Sequence, residues 1–161
     1  MPLLTPHFSL QELTVTQQLG PDGKLLFNQP GDMEMIYLRL LAETLLEPIR
    51  LLWDCPVKVT SGYRSHAVEM AVSGKDYGQH RRGQAADIIP VGSLGIEEAY
   101  RRIWASGLPY DQLLLEGQPG HQWVHVSCSP VMYAPRREAL VSPDGRQWAV
   151  YAAPTAREGT A

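Results

Sequence analysis

Gly78-Gln-His-Arg-Arg-Gly-Gln-Ala-Ala-Asp87, running on into Ile88-Ile-Pro90, is where the fold declares itself. His80 and Asp87 lie seven positions apart, too far for one helical turn, and the residues between them predict a loop that feeds a strand. Gly83 permits a tight bend, and Ala85 and Ala86 are small enough for backbone to pass close to a neighbour. Asp87-Ile-Ile-Pro90 reads as a short buried strand that stops at its proline. His80 then sits on the loop, and Asp87 enters the core where the strand begins. An aspartate beside two isoleucines needs a partner, because an unpaired buried carboxylate is costly. A metal ion would be one. Taken singly, His80 reads as a surface loop histidine and Asp87 as a turn residue or helix cap.

Trp123-Val-His125-Val-Ser127 supplies a third candidate ligand, His125. Two imidazoles and one carboxylate suit zinc, and three protein ligands leave a fourth position open for water, the arrangement of a catalytic site. The segment alternates, with Trp123, His125 and Ser127 on one face and Val124 and Val126 on the other. Upstream, Gln112, Leu114 and Glu116 point one way and Leu113 and Leu115 the other. Gly117-Gln-Pro-Gly120 between the two runs is a strong turn signal. Residues 111–127 therefore predict a β-hairpin with Glu116 and His125 on its polar face. The bland alternatives are a satisfied histidine on a half-buried strand and a solvated carboxylate near a turn.

Glu116 is the candidate general base. A water on catalytic zinc has its pKa lowered to about 7, and a nearby carboxylate can take its proton and pass it to the leaving amine. Gln122 cannot act as a base, and His121 is expected in the turn. Thr60-Ser-Gly-Tyr-Arg-Ser65 follows an expected strand, Val57-Lys-Val59. An arginine at a strand end, Arg64, could hold its planar fork over the site, where it suits a carboxylate. It could equally be a surface arginine with its stem on Tyr63.

Ser61-Gly-Tyr-Arg-Ser65, then His80-x-x-Gly83-x-Ala85-x-Asp87, then Trp123-Val-His125-Val-Ser127, in that order and spacing, resemble the zinc D-Ala-D-Ala carboxypeptidases. The nearest likeness is to their single-domain, phage-type murein peptidase branch. Phe8-Ser-Leu-Gln-Glu-Leu13, Leu41-Ala-Glu-Thr-Leu-Leu-Glu-Pro-Ile-Arg50 and Tyr110-Asp-Gln-Leu-Leu-Leu-Glu116 are similar to that branch too, so the likeness covers roughly residues 7–140. The resemblance implies that His80, Asp87 and His125 bind zinc. It implies that Arg64 grips a substrate carboxylate or carbonyl, and that Glu116 stands near the reacting water. Tyr63, Gln79 and His121 are expected to line the cleft. The implied fold is α+β, hedgehog/DD-peptidase-like: a small antiparallel sheet with helices packed on one side and the zinc cleft on the other. The implied activity is hydrolysis of peptidoglycan stem peptides, by carboxypeptidase or endopeptidase cleavage. Related enzymes often carry Ser at position 78, where this chain has Gly78. Several branches carry an acidic residue or His at position 122, where this chain has Gln122. The second departure keeps an alternative in play, a non-catalytic cell-wall or phage-tail binding module that retains the zinc fold.

A chain of 161 residues is one domain by length and can bury a core. Its 44% hydrophobic and 19% charged content is ordinary for a globular protein. A net charge of −3 argues against a general nucleic-acid binder. Met1-Pro-Leu-Leu-Thr-Pro6 has no charged leader and no long apolar run, so neither a secretory signal nor a membrane span is expected. With the resemblance, this implies a protein made in the cytoplasm that reaches the wall by lysis or phage delivery, with tail or particle proteins as partners. The two cysteines, Cys55 and Cys128, lack Cys-x-x-Cys spacing and read as reduced thiols, although the sequence leaves their pairing open. Cys128 lies close enough to His125 for a ligand role to be conceivable, but the three-ligand set is complete without it.

The peptidase domain is expected over residues 1–151, with a disordered tail over 152–161. Ser9-Leu-Gln-Glu12 fits a capping box. Residues 20–31 read as a long loop and candidate lid. Asp32 is the expected cap of a main helix over 33–53, with Ile36, Leu40, Leu41, Leu45, Ile49 and Leu52 as its stripe and a kink at Pro48. Shorter helices are expected over 66–72 and 94–106, stopped by Gly74 and Gly107. Val141–Tyr151 predicts a hairpin around Pro-Asp-Gly.

Overall fold

Local signals in the N-terminal half fold largely as read in a computed structural model, which describes residues 3–142, 144 and 146–152. Ser9 caps helix α1 (Leu10–Thr14): its hydroxyl accepts from Glu12 N–H, and the Glu12 carboxylate accepts from Ser9 N–H. The long helix is present in three parts, α2 (Asp32–Leu41), a wide π-type turn over Ala42–Leu46, and α3 (Glu47–Trp53). Pro48 explains the break. It has no N–H for the Thr44 carbonyl and its ring would strike that oxygen. The preceding turn therefore widens, and Glu47 N–H reaches back to Ala42 O. The N-cap is Gly31 and not the expected Asp32, because the Glu34 carboxylate closes back onto Gly31 N–H at 3.1 Å. The buried stripe runs through Leu38, Leu41, Leu45, Ile49 and Trp53, whereas Ile36 faces solvent.

Strand β1 (Val57–Ser61) leads to α4 (His66–Ser73), which ends at Gly74. Strand β2 (Ala85–Pro90), α5 (Ile96–Ala105) and the hairpin β3 (Gln112–Glu116) and β4 (Trp123–Ser127) follow, then β5 (Glu138–Val141) and β6 (Ala149–Val150). One six-stranded sheet has the order β1-β2-β4-β3-β5-β6. The α+β architecture is as expected. The sheet is mixed, since β5 joins β3 in parallel while every other pair is antiparallel. The pairing of β5 with β6 matches the terminal hairpin. Its turn residues Pro143 and Gly145, and the tail from 153, lie outside the described residues.

Alternation sorts the sheet into two faces. Val57, Val59, Ala86, Ile88, Leu113, Leu115, Val124 and Val126 meet the helices in one core. Leu113 and Val126 are cross-strand partners, both fully buried, and each contributes roughly 1.5–3 kcal/mol. The Trp53 indole N–H donates to Ala99 O at 2.9 Å and ties α3 to α5. The opposite face carries the polar side chains. There the register sets Ser61, Asp87, His125 and Leu114 side by side across four strands. Both cysteines are free thiols. Cys128 packs in the core, where burial pushes its thiol up to about 12. Among the described residues no helix is long and apolar enough to cross a membrane.

Candidate metal centre

Two glycines bring His80 to the sheet. His80–Arg82 forms a single 3₁₀ turn that closes with Gly83 N–H on His80 O. Gly83 has φ +72°, and a Cβ there would stand 2.6 Å from Glu34 O in α2. Gly62 passes so near Leu13 that a Cβ would meet its carbonyl oxygen at 2.3 Å. Gly83→Ala is expected to cost at least about 1–2 kcal/mol from left-handed backbone alone. A thermal scan should show a fall in Tm of several degrees, and an unchanged Tm would mean that neither the left-handed backbone nor the approach to α2 constrains this position.

His80 Nε2, His125 Nδ1 and Asp87 Oδ1 form a small triangle. Its edges are 3.2 Å between the imidazoles, 3.0 Å from His125 to Asp87 and 3.3 Å from His80 to Asp87. All three residues are buried. Their neighbours set the tautomers. His80 Nδ1–H donates to Gly62 O at 2.7 Å, which leaves the Nε2 lone pair facing the triangle. His125 Nε2–H points to Gln79 Oε1 at a long 3.5 Å, leaving the Nδ1 lone pair inward. Three lone pairs at this spacing repel one another unless a cation or a shared proton lies between them. Tetrahedral donors about 2.0–2.1 Å from an ion stand about 3.3 Å apart, so the triangle fits one. Burial opposes charge on Asp87, yet when no metal is bound the imidazoles, by carrying protons toward it, hold its carboxyl well below the usual range.

Arg64 secures the far oxygen of Asp87. Its Nη2 donates to Asp87 Oδ2 at 3.0 Å and its Nε to Ser61 Oγ at 3.0 Å. Asn28, buried in the loop expected as a lid, donates to Thr14 O and Tyr63 O and accepts Ser65 N–H. That fastens the loop beside Arg64. Glu116 is half-buried on the same face of the sheet, within the fields of His125, Asp87 and Arg64. Burial pushes its carboxyl up, Asp87 adds to the rise, and His125 and Arg64 offset part of it. Trp123, opposite Glu116, has a buried indole N–H with no partner among the described residues.

A cleft of about 600 Å³ opens beside His125, lined by Gly78, Gln79, Asp111, Leu114 and Tyr133 among others. A second hollow of about 530 Å³ reaches Ser61 and Arg64 from the β1 side. Of the expected lining residues, Gln79 is in the cleft. Tyr63 lies elsewhere: it is 4% exposed, its ring is in the core, and its hydroxyl accepts from Arg81 at 3.2 Å. His121 is exposed in the β3–β4 turn and lines neither space. Gln122 borders a different hollow with Tyr100, Leu115 and Tyr151, on the helix side of the sheet.

Sequence reasoning missed Asp111, which is 4% exposed. It accepts from Gln79 Nε2 at 2.8 Å and from Arg136, whose Nη2 lies 2.6 Å away. It thereby steadies the amide that faces His125. Burial raises its carboxyl, but the Arg136 hydrogen bonds outweigh this and hold it below the ordinary range. A buried acid at the head of an apolar strand was the available sign. No spacing connects residues 79, 111 and 136.

The family model described as Peptidase M15 matches residues 6–127, from ahead of α1 to the last residue of β4. No curated protein matches the chain. Peptidases of this family depend on a metal, and the matched span contains all three residues of the donor triangle. With most of its length matched and a buried site able to hold an ion, this chain belongs to the Peptidase M15 family.

Proposed function

We propose that the protein is a zinc peptidase that hydrolyses the stem peptides of peptidoglycan. The observation that carries this is the convergence of His80, Asp87 and His125, with Glu116 on the same face of the sheet. Two imidazoles and a carboxylate, with tautomers already set, are a donor set suited to zinc. When bound, zinc polarises the scissile carbonyl and acidifies a water.

The chain's own groups supply the rest. Glu116 takes the proton of the attacking water and returns it to the leaving amine. Arg64 holds Asp87 and keeps N–H groups for a substrate carboxylate or carbonyl, since a guanidinium has five. Gln79 orients His125 from the cleft wall. The substrate class follows from the motif set shared with murein peptidases. The binding-module alternative leaned on Gln122 occupying the place of a base. Gln122 borders the hollow with Tyr100 and Leu115 and is absent from the lining of the cleft beside His125, which favours the enzyme reading over the binding module.

The test uses purified protein on intact peptidoglycan and on a stem peptide ending in D-Ala-D-Ala, with and without chelator. New amino groups should appear, vanish with chelator and return with zinc. Free D-alanine would mark a carboxypeptidase, and new amino termini without it an endopeptidase. No release from either substrate by zinc-loaded protein would overturn the proposal.

A further inference from the structure

Glu69 is a carboxylate that the hydrolytic chemistry does not use, yet it is only 4% exposed. It projects from α4, whose N-cap, Ser65, is the residue after Arg64. Its Oε1 accepts from the Ser73 hydroxyl at 2.6 Å. Its Oε2 is buried, has no hydrogen bond among the described residues, and faces Arg64 Nη1 at 3.7 Å. A carboxylate this deep needs a counter-charge, and Arg64 is that charge. The same guanidinium binds Ser61 through Nε and Asp87 Oδ2 through Nη2. The side chains of Glu69, Arg64 and Asp87 are 6%, 15% and 9% exposed, so the row is largely shielded from water, with Arg64 its most open member.

We propose that Glu69 is a positioning residue for the metal centre. With Ser61 it holds the Arg64 guanidinium in one pose, so that Arg64 binds Asp87 by Oδ2 alone and leaves Oδ1 toward His80 and His125. It also balances a full positive charge that would otherwise act against cation binding next door, in surroundings where screening by water is weak. The inference rests on the metal reading of His80, Asp87 and His125. Its effect travels through Arg64, which separates it from a merely structural role.

The test measures zinc affinity of the whole chain by competition with a chromophoric chelator, and the visible absorption of the cobalt-loaded protein, which reports ligand geometry without turnover. Glu69→Gln keeps the shape and the acceptor for Ser73, and should weaken zinc about tenfold and alter the cobalt bands. Ser73→Ala loosens the same carboxylate without removing its charge, and should weaken zinc about two- to threefold. In an Arg64→Met background, adding Glu69→Gln should change affinity less than about twofold. Wild-type affinity and cobalt spectrum in both Glu69→Gln and Ser73→Ala would overturn the proposal, as would a tenfold loss that persists without Arg64. Should Glu69→Gln fail to fold, unchanged affinity in Ser73→Ala is enough to overturn it. If the wild-type chain takes up no zinc, the metal reading fails first.

Discussion

His80→Ala should remove the metal and the hydrolysis together. Groups that merely orient a ligand are worth roughly 10–100-fold in metal affinity, so loss of a direct donor should exceed about 100-fold. Hydrolysis should fall to the level of the chelated wild type. Stability should respond differently. Without metal, the wild type packs three donor atoms 3.0–3.3 Å apart, a crowding that alanine relieves while it gives up the His80 Nδ1–H bond to Gly62 O. The metal-free variant should therefore unfold near the temperature of the metal-free wild type. Zinc, which binds the folded chain, should raise the wild-type Tm with concentration and leave that of the variant in place. The checks are metal content of the purified chain and thermal scans with and without zinc. One zinc per chain surviving in His80→Ala would move the ion elsewhere and dissolve the assignment of all three ligands.

What the sequence made legible follows a physical divide. Period-two alternation specifies which side chains share a face, so the hairpin that puts Glu116 and His125 together could be read from residues 111–127. Proline chemistry is local too, and Pro48 marks the break between α2 and α3. Relations fixed by topology were hidden. Asp111, Gln79 and Arg136 meet only because the 128–137 connection carries the chain past the open end of the hairpin to the far side of β3. Glu69 and Arg64 meet through the angle at which α4 leaves β1. Tyr63 was misplaced because a tyrosine beside a candidate site residue fits either a cleft or a core, and Leu13 O, accepting Tyr63 N–H at 2.7 Å, draws that segment against α1. Gln122 carried undue weight for a related reason. Spacing along the chain placed it near His125, while in the folded chain, one residue ahead of β4, it lines the hollow with Tyr100, Leu115 and Tyr151.

Glu116→Gln should keep zinc and lose most turnover, because a positioned general base contributes roughly 10²–10⁴-fold. The pH dependence gives a second, independent mark. Burial lifts the Glu116 carboxyl above its ordinary range, Asp87 adds to this, and His125 and Arg64 offset only part. The base must be ionised to work, so kcat/KM should fall as pH drops through the pKa of this carboxyl in the zinc-loaded enzyme, where the cation draws it down from its metal-free position. That acid limb should be missing from whatever activity the variant retains. Linkage fixes the sign for stability as well. A carboxyl whose folded pKa exceeds its unfolded pKa binds its proton more tightly when folded, so it favours the fold at low pH and costs stability once both states are ionised. At neutral pH the glutamine variant should be no less stable than the wild type, since it removes a half-buried charge and keeps the shape. A variant that loses turnover while holding its zinc and its Tm would locate the defect in proton transfer. Full turnover by Glu116→Gln on peptidoglycan would instead take Glu116 out of the reaction, and the raised carboxyl would then be only a consequence of burial.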